Sequence, residues 1–224
     1  MARKMPDDMA PGTRHKTNSF GVIEILKYTS AKEILVKFVG TGFKTTCQAV
    51  HVREGRLKDL LQPSMLGVGF TGDGNFKPSI GGVETECHMH WRAMIHRCYN
   101  EKFKAKNPAY NDCKVCDEWH NFQEFAKWYQ ENHPDDGGKY HLDKDIKIKG
   151  NKTYSPEACK FVTPAENSEQ ATAKRYKFTS PTGEVVDVYN LSKFCRDNDI
   201  CVSHMCNVNN GNLDQHKGWT RHKE

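Results

Sequence analysis

The sequence predicts an α+β chain built from small modules, and three observations carry that expectation. Short alternating strands separated by turn residues fill residues 18–80. Between Tyr140 and Gln170 a strand, a turn, a second strand and a helix follow one another. Helical spacings of apolar residues before that stretch, and again after residue 190, supply the remaining elements.

Residues 1–17 are polar, with two prolines and a glycine, and read as a flexible basic tail. They hold no apolar stretch of the kind a secretory leader needs, so the expected location is the cytoplasm. Residues 18–80 read as a β-rich, SH3-like module. Its strands are expected at 20–26, 33–39 and 43–52, with Thr29-Ser30 turning the first pair and Glu54-Gly55 ending the last. Residues 66–82 hold six of the chain's 17 glycines. They lack the GxxxxGK[ST] order of a phosphate loop and no helix pattern opens after them, so they read as an irregular linker.

A third module spans 81–170. Trp91, Met94, Ile95 and Cys98 recur at helical spacing within 86–100. Phe122, Phe125, Trp128 and Tyr129 do so within 121–132, where Asn121 can cap and Glu124 completes a box-like spacing. His133-Pro134 and Gly137-Gly138 end that helix. From His141 to Lys149, Leu142, Ile146 and Ile148 alternate with charges, as a half-buried strand requires. Gly150-Asn151 turns the chain, Cys159 to Val162 forms a second strand, and Thr163-Pro164-Ala165-Glu166 is a capping box. Asn167 therefore falls in the first turn of a helix.

The series WRAMIHRCYN, VCDEWHNFQEFAKWY, LDKDI, GNKTYSP and FVTPAEN, over about residues 88–170, resembles phage-encoded HNH, or His-Me finger, homing endonucleases and related DNA-binding proteins. The resemblance implies a ββα-metal core. It places the family's metal-binding Asp at Asp143 and its Asn ligand at Asn167, and puts Asp145 and Asn151 near family positions. It implies Mg²⁺ or another divalent cation, which favours oxygen ligands and leaves room for water and phosphate. Where the family has its general-base His, this chain has Lys144, protonated at neutral pH unless strongly desolvated. His141, two residues from Asp143 on the same strand face, is the candidate substitute. An active nuclease with altered chemistry, a slow nickase and a retired nuclease fold kept for binding DNA all remain open. Arg92, Arg97, Lys144, Lys147, Lys149 and Lys152 are the cations expected to meet phosphate.

Cys113 and Cys116 form a lone CxxC. With Cys98 and Cys159 they could supply a structural zinc, but no second CxxC exists and packed thiols satisfy the pattern as well. Nine scattered cysteines suit a reducing compartment rather than a disulfide framework.

Residues 171–224 form the last module. Tyr176–Phe178 and Val185–Val188 read as strands, Leu191–Asp197 as a helix capped by Asn190, and about Val202–Val208 as a second helix. FTSPTG, YNLSKFCRDN and HKGW resemble the intron-encoded nuclease repeat, which binds DNA with a helix-turn-helix-like pair. The resemblance implies that Ser203, His204, Asn207, Asn209 and Asn210 reach base edges and that Lys217 contacts DNA. An ordinary αα corner with Asn caps fits the same residues.

Net charge is +5 over residues 1–80, −2 over 81–170 and +2 over 171–224. Basic ends flanking an acidic middle suit modules that grip phosphate around a cation site. Hydrophobic residues are 37% of the chain, too few and too scattered for a membrane span. The expected partner is double-stranded DNA, with no small-molecule substrate; a host protein is the partner class of the degenerate alternative.

Overall fold

The computed structural model describes residues 5–148, 150–172 and 174–222. The chain is mixed α and β and divides into two compact units. One comprises Met1–Asn132 with Gly150–Ala158, the other His133–Lys149 with Cys159–Glu224.

The first unit begins with a four-stranded antiparallel sheet in sequence order: β1 (Arg14–Lys16), β2 (Val22–Ser30), β3 (Glu33–Phe38) and β4 (Lys44–Cys47). Alternation sets its inner face. Ile23 pairs with Phe38 and Ile25 with Val36, and all four are buried. The turn between β2 and β3 falls at Ala31-Lys32, not at Thr29-Ser30, because β2 runs on to Ser30. The third expected strand stops at Cys47, and Ala49–Arg53 forms a short helix, α1, that buries Ala49 and Val52.

The expected tail is also corrected. Residues 7–16 are built into this sheet. Met9 is fully buried, β1 pairs with β2, and Arg53 grips Asp8 through Nε at 2.7 Å and Nη2 at 3.0 Å. Burying one methionine contributes about 1.5–3 kcal/mol, which adds to the β1–β2 pairing in holding the segment.

A two-residue hairpin follows, β5 (Ser79–Ile80) and β6 (Val83–Glu84), then α2 (Glu86–Tyr99) and α3 (Glu101–Lys106). Thr85 caps α2, accepting from His88 N at 3.3 Å, and Trp91, Met94, Ile95 and Cys98 are its buried stripe. After β7 (Lys114–Val115), α4 (Phe122–Asn132) packs Phe122 and Phe125 inward.

The glycine-rich stretch before α2 is irregular but anchored. Buried Gln123 donates to Thr71 O and Phe76 O, both at 3.1 Å, and accepts from Phe76 N at 3.0 Å. A Cβ on Gly72 would meet Asn121 Oδ1 at 1.9 Å, and one on Gly74 would meet Gln123 Oε1 at 2.3 Å. Those two glycines let the backbone approach the start of α4.

In the second unit, β8 (His141–Asp143) is followed, after the chain has contributed β9 (Thr153–Tyr154, parallel to β7) to the first unit, by β10 (Lys160–Val162) and α5 (Pro164–Thr172). β8 and β10 are antiparallel. The strand expected over 141–149 is cut to three residues. Asp143 Oδ1 accepts from Asp145 N at 2.7 Å and Ile146 N at 2.8 Å, which turns the chain and leaves Ile148 51% exposed.

The remaining elements are β11 (Arg175–Thr179), β12 (Val185–Tyr189), α6 (Leu191–Asp197), α7 (Val202–Asn210), β13 (Gln215–His216) and β14 (Trp219–Arg221). The strands form one sheet in the order β12-β11-β14-β13. Phe178 and Val188 meet Leu191, Cys195, Met205 and Val208 in one core. Asn190 caps α6 by accepting from Lys193 N at 3.0 Å, and Gly211, at φ +77°, ends α7. Among the described residues no helix is long and apolar enough to cross a membrane.

Candidate functional site

The strongest constellation is the β8–β10–α5 unit. The register sets Val162 opposite His141 and Lys160 opposite Asp143. The capping box starts α5 immediately after β10. Glu166 N donates to Thr163 Oγ1 at 3.2 Å, and Thr163 N donates to Glu166 Oε2 at 2.9 Å. The Thr163 amide first, and then the Thr163 hydroxyl, which donates to Glu166 Oε2 at 3.0 Å, hold the Glu166 carboxyl below its usual range. Asn167, one residue on, places its side-chain amide 3.1 Å from His141 Nδ1. Two residues 26 positions apart thus meet at the mouth of the unit, with His141 exposed and Asn167 partly so.

The amide's two ends exchange by a half-turn about its last bond. With oxygen toward the ring, Asn167 accepts from Nδ1–H and leaves Nε2 as the proton acceptor. Asp143 shares the strand face of His141 and is partly exposed. Its Oδ1 serves the turn described above, and the carboxylate keeps further lone pairs. A carboxylate and an amide oxygen are the donors a hard divalent cation takes, so the residues fit such an ion. Among the described residues no three His, Cys, Asp or Glu ligand atoms gather here, so water and phosphate would fill most of its coordination.

Lys144 has a different place. It is 6% exposed, and its Nζ lies 2.6 Å from Asp145 Oδ2. The pair anchors the turn after β8. Asn151, in the segment that returns to the first unit, donates to Thr153 O at 2.6 Å and accepts from Thr153 N at 3.2 Å, closing its own turn.

The cations expected to meet phosphate are scattered. Arg92 binds Glu84 through Nε and Nη2, both at 2.9 Å. Arg92 first, and His88 second, hold the Glu84 carboxyl down to about 2. Arg92 is therefore committed within the first unit. Arg97 is partly buried there and bonds to Tyr154. Lys152, also in that unit, donates to Ala109 O at 3.3 Å. Lys147 is exposed in the second unit, and Lys149 lies outside the described residues. The i, i+4, i+8 spacing of Glu84, His88 and Arg92 is the sequence signal for this network, with Glu84 placed just before the helix whose face it joins.

Among the described residues no zinc set forms around the CxxC. Cys113 is buried with its Sγ 3.6 Å from Ala109 O, and burial pushes the Cys116 thiol up. None of the nine cysteines is in a disulfide.

On α7, Ser203, His204, Asn207 and Asn210 are exposed and Asn209 is half-buried, with Asn209 Nδ2 3.2 Å from Asn210 Oδ1. Lys217 donates to Asp199 O at 2.6 Å, fastening the turn between α6 and α7. His216, which the sequence did not single out, accepts from Cys201 N at 3.2 Å through Nε2 and sets its ring 4.7 Å from that of His204. Partial desolvation, then His204 and Lys217, lower the pKa of His216 from 6.5. The neutral ring is thus the one that caps α7. The unfolded chain takes up the proton first, so this contribution is complete above pH ~6.5 and is lost as pH falls through the lower folded value. Thermal unfolding of His216→Gln is expected to lose the part of the wild type's acid sensitivity that falls between those values. An unchanged pH profile would contradict the assignment.

No family model matches this sequence, and no curated protein and no solved structure matches it.

Proposed function

We propose that this protein binds double-stranded DNA and hydrolyses a phosphodiester bond in it at the β8–β10–α5 unit, with the aid of a divalent cation. The observation that carries this reading is the 3.1 Å contact of Asn167 with His141, on a strand face shared with Asp143. It supplies a base, a group that orients the base, and oxygen donors in one exposed patch. Asp143 and Asn167 would hold the cation. The ion, when bound, offsets charge on the leaving oxygen. His141 Nε2 takes the proton of the attacking water, while Asn167 fixes the ring through Nδ1. Lys144 takes no part in proton transfer and secures the turn that presents Asp143.

A second reading has its own observation. The position at which the resembled family places its base holds a buried lysine, Lys144, paired with the exposed Asp145. That suits a DNA-binding descendant of a nuclease with a silent site, one whose partner could also be a host protein.

Nicking of supercoiled DNA with Mg²⁺ or Mn²⁺, and with EDTA, separates the two. Metal-dependent nicking that Asp143→Ala abolishes is the expected result. Tight DNA binding without nicking, indifferent to EDTA and to Asp143→Ala, would leave the silent reading.

A further inference from the structure

The β5–β6 hairpin leaves its tip in solvent. Ile80 is 69% and Val83 73% exposed, more than any other large apolar side chain among the described residues. The two stand directly opposite each other across the ladder. Gly81 and Gly82, at φ +59° and +82°, join them in the turn that a two-residue hairpin favours. Singly exposed apolar residues are ordinary on a protein surface. A matched pair at the end of a hairpin is a shaped feature, and at these exposures neither side chain adds to a core.

The foot of the hairpin is fixed within the same unit. Thr85 N donates to Pro78 O at 3.0 Å, and Thr85 Oγ1 donates to Lys77 O at 3.1 Å. Phe76 N donates to Gln123 Oε1, on α4, at 3.0 Å. Glu84 turns toward α2, where His88 and Arg92 hold it. Val83 and its partner Ile80 therefore take the opposite face. The exposed residues of 77–84 are Lys77, Ser79, Ile80, Gly81, Gly82 and Val83, one cation and no acid. Asp73 and Glu86, exposed on either side in sequence, stand outside the hairpin.

Two side chains fall far short of the roughly 800 Å² per partner that a stable protein interface buries, so the tip does not carry a dimer or a protein complex by itself. A base step asks for less. Minor-groove proteins insert single apolar side chains, isoleucine among them, between bases, while phosphate contacts elsewhere supply the affinity. A Gly-Gly turn leaves the leading edge free of side chains that would hold the bases away. We infer that the β5–β6 tip is an apolar wedge, led by Ile80 with Val83 beside it, that enters a base step of duplex DNA from the minor groove. This rests on the DNA-binding reading above and adds to it a deformation of the duplex that phosphate contacts alone do not require.

The test is fluorescence anisotropy of the full chain, in EDTA so that the strands stay intact, with two short duplexes that differ only by one central mismatch. A mismatched step is easier to unstack, so a wedge enters it at lower cost. The wild type is expected to bind the mismatched duplex about tenfold more tightly than the matched one. Ile80→Thr combined with Val83→Thr keeps the β-branched shape that strands favour and removes the apolar tip. This variant should bind both duplexes alike, with the salt dependence of the wild type, because no phosphate contact is lost. A mismatch preference absent from a wild type that binds, or kept by the double variant, overturns the wedge and leaves duplex binding in place. A wild-type dimer in sedimentation velocity that the double variant does not form overturns the choice of occupant. A wild type that binds neither duplex removes this inference together with the reading beneath it.

Discussion

Trp91→Ala is expected to lower the unfolding free energy of the first unit by about 3–5 kcal/mol, the range for truncating a large buried aromatic. Trp91 is 2% exposed at the centre of the α2 stripe. Its ring meets Phe122 edge-on at 5.6 Å and closes over Gly69, whose missing Cβ would lie 2.9 Å from it. Its indole N–H donates to Trp119 O at 2.8 Å in a buried setting. The substitution therefore opens a cavity and strands a carbonyl, two costs that add. Trp91→Phe keeps most of the volume and loses the bond, so about 1–2 kcal/mol is expected. Urea denaturation of both variants, read at the transition of the first unit, checks the order. A loss below about 1 kcal/mol for Trp91→Ala would mean that the site collapses around the gap.

His141→Ala is expected to slow metal-dependent nicking by about 10²–10⁴-fold, the usual contribution of a positioned general base. Asn167→Ala should weaken the reaction as well, since it removes both a cation donor and the group that sets the His141 tautomer. Lys144→Met should leave the rate within a few-fold of the wild type, because its ammonium is buried against Asp145. A large loss from Lys144→Met with an unaffected His141→Ala would reverse the assignment of the base. All three substitutions at the site are read against the folded fraction of each variant, since Lys144 also holds the turn after β8.

Elements governed by nearby residues were legible from the chain alone. The α2 stripe needs only the 3.6-residue period, and Trp91, Met94, Ile95 and Cys98 are buried as that period requires. The capping box at Thr163–Glu166 forms because its four residues suffice to make both bonds. Asn190 and Gly211 bound α6 and α7 for the same reason. Where side chains compete with a local pattern, the pattern misled. Alternation continues past Asp143, but that carboxylate takes two amides and ends the strand. Polarity marked residues 1–17 as a tail, yet residues 7–16 lie against the sheet, with Met9 buried and Arg53 bidentate on Asp8.

The candidate site divides along the same line. The resemblance to His-Me finger nucleases pointed to Asp143 and Asn167, and His141 followed as a candidate base from its place two residues before Asp143. Their meeting needed strand pairing between β8 and β10, which brings His141 to Asn167 across 26 residues. Charge in the sequence likewise marked Arg92 as a phosphate contact, and the fold pairs it with Glu84 instead. Local propensity and periodicity act over a few residues and are written in order along the chain. Ion pairing, close approach and the sharing of a surface depend on distances that the chain sets only once its distant parts have packed.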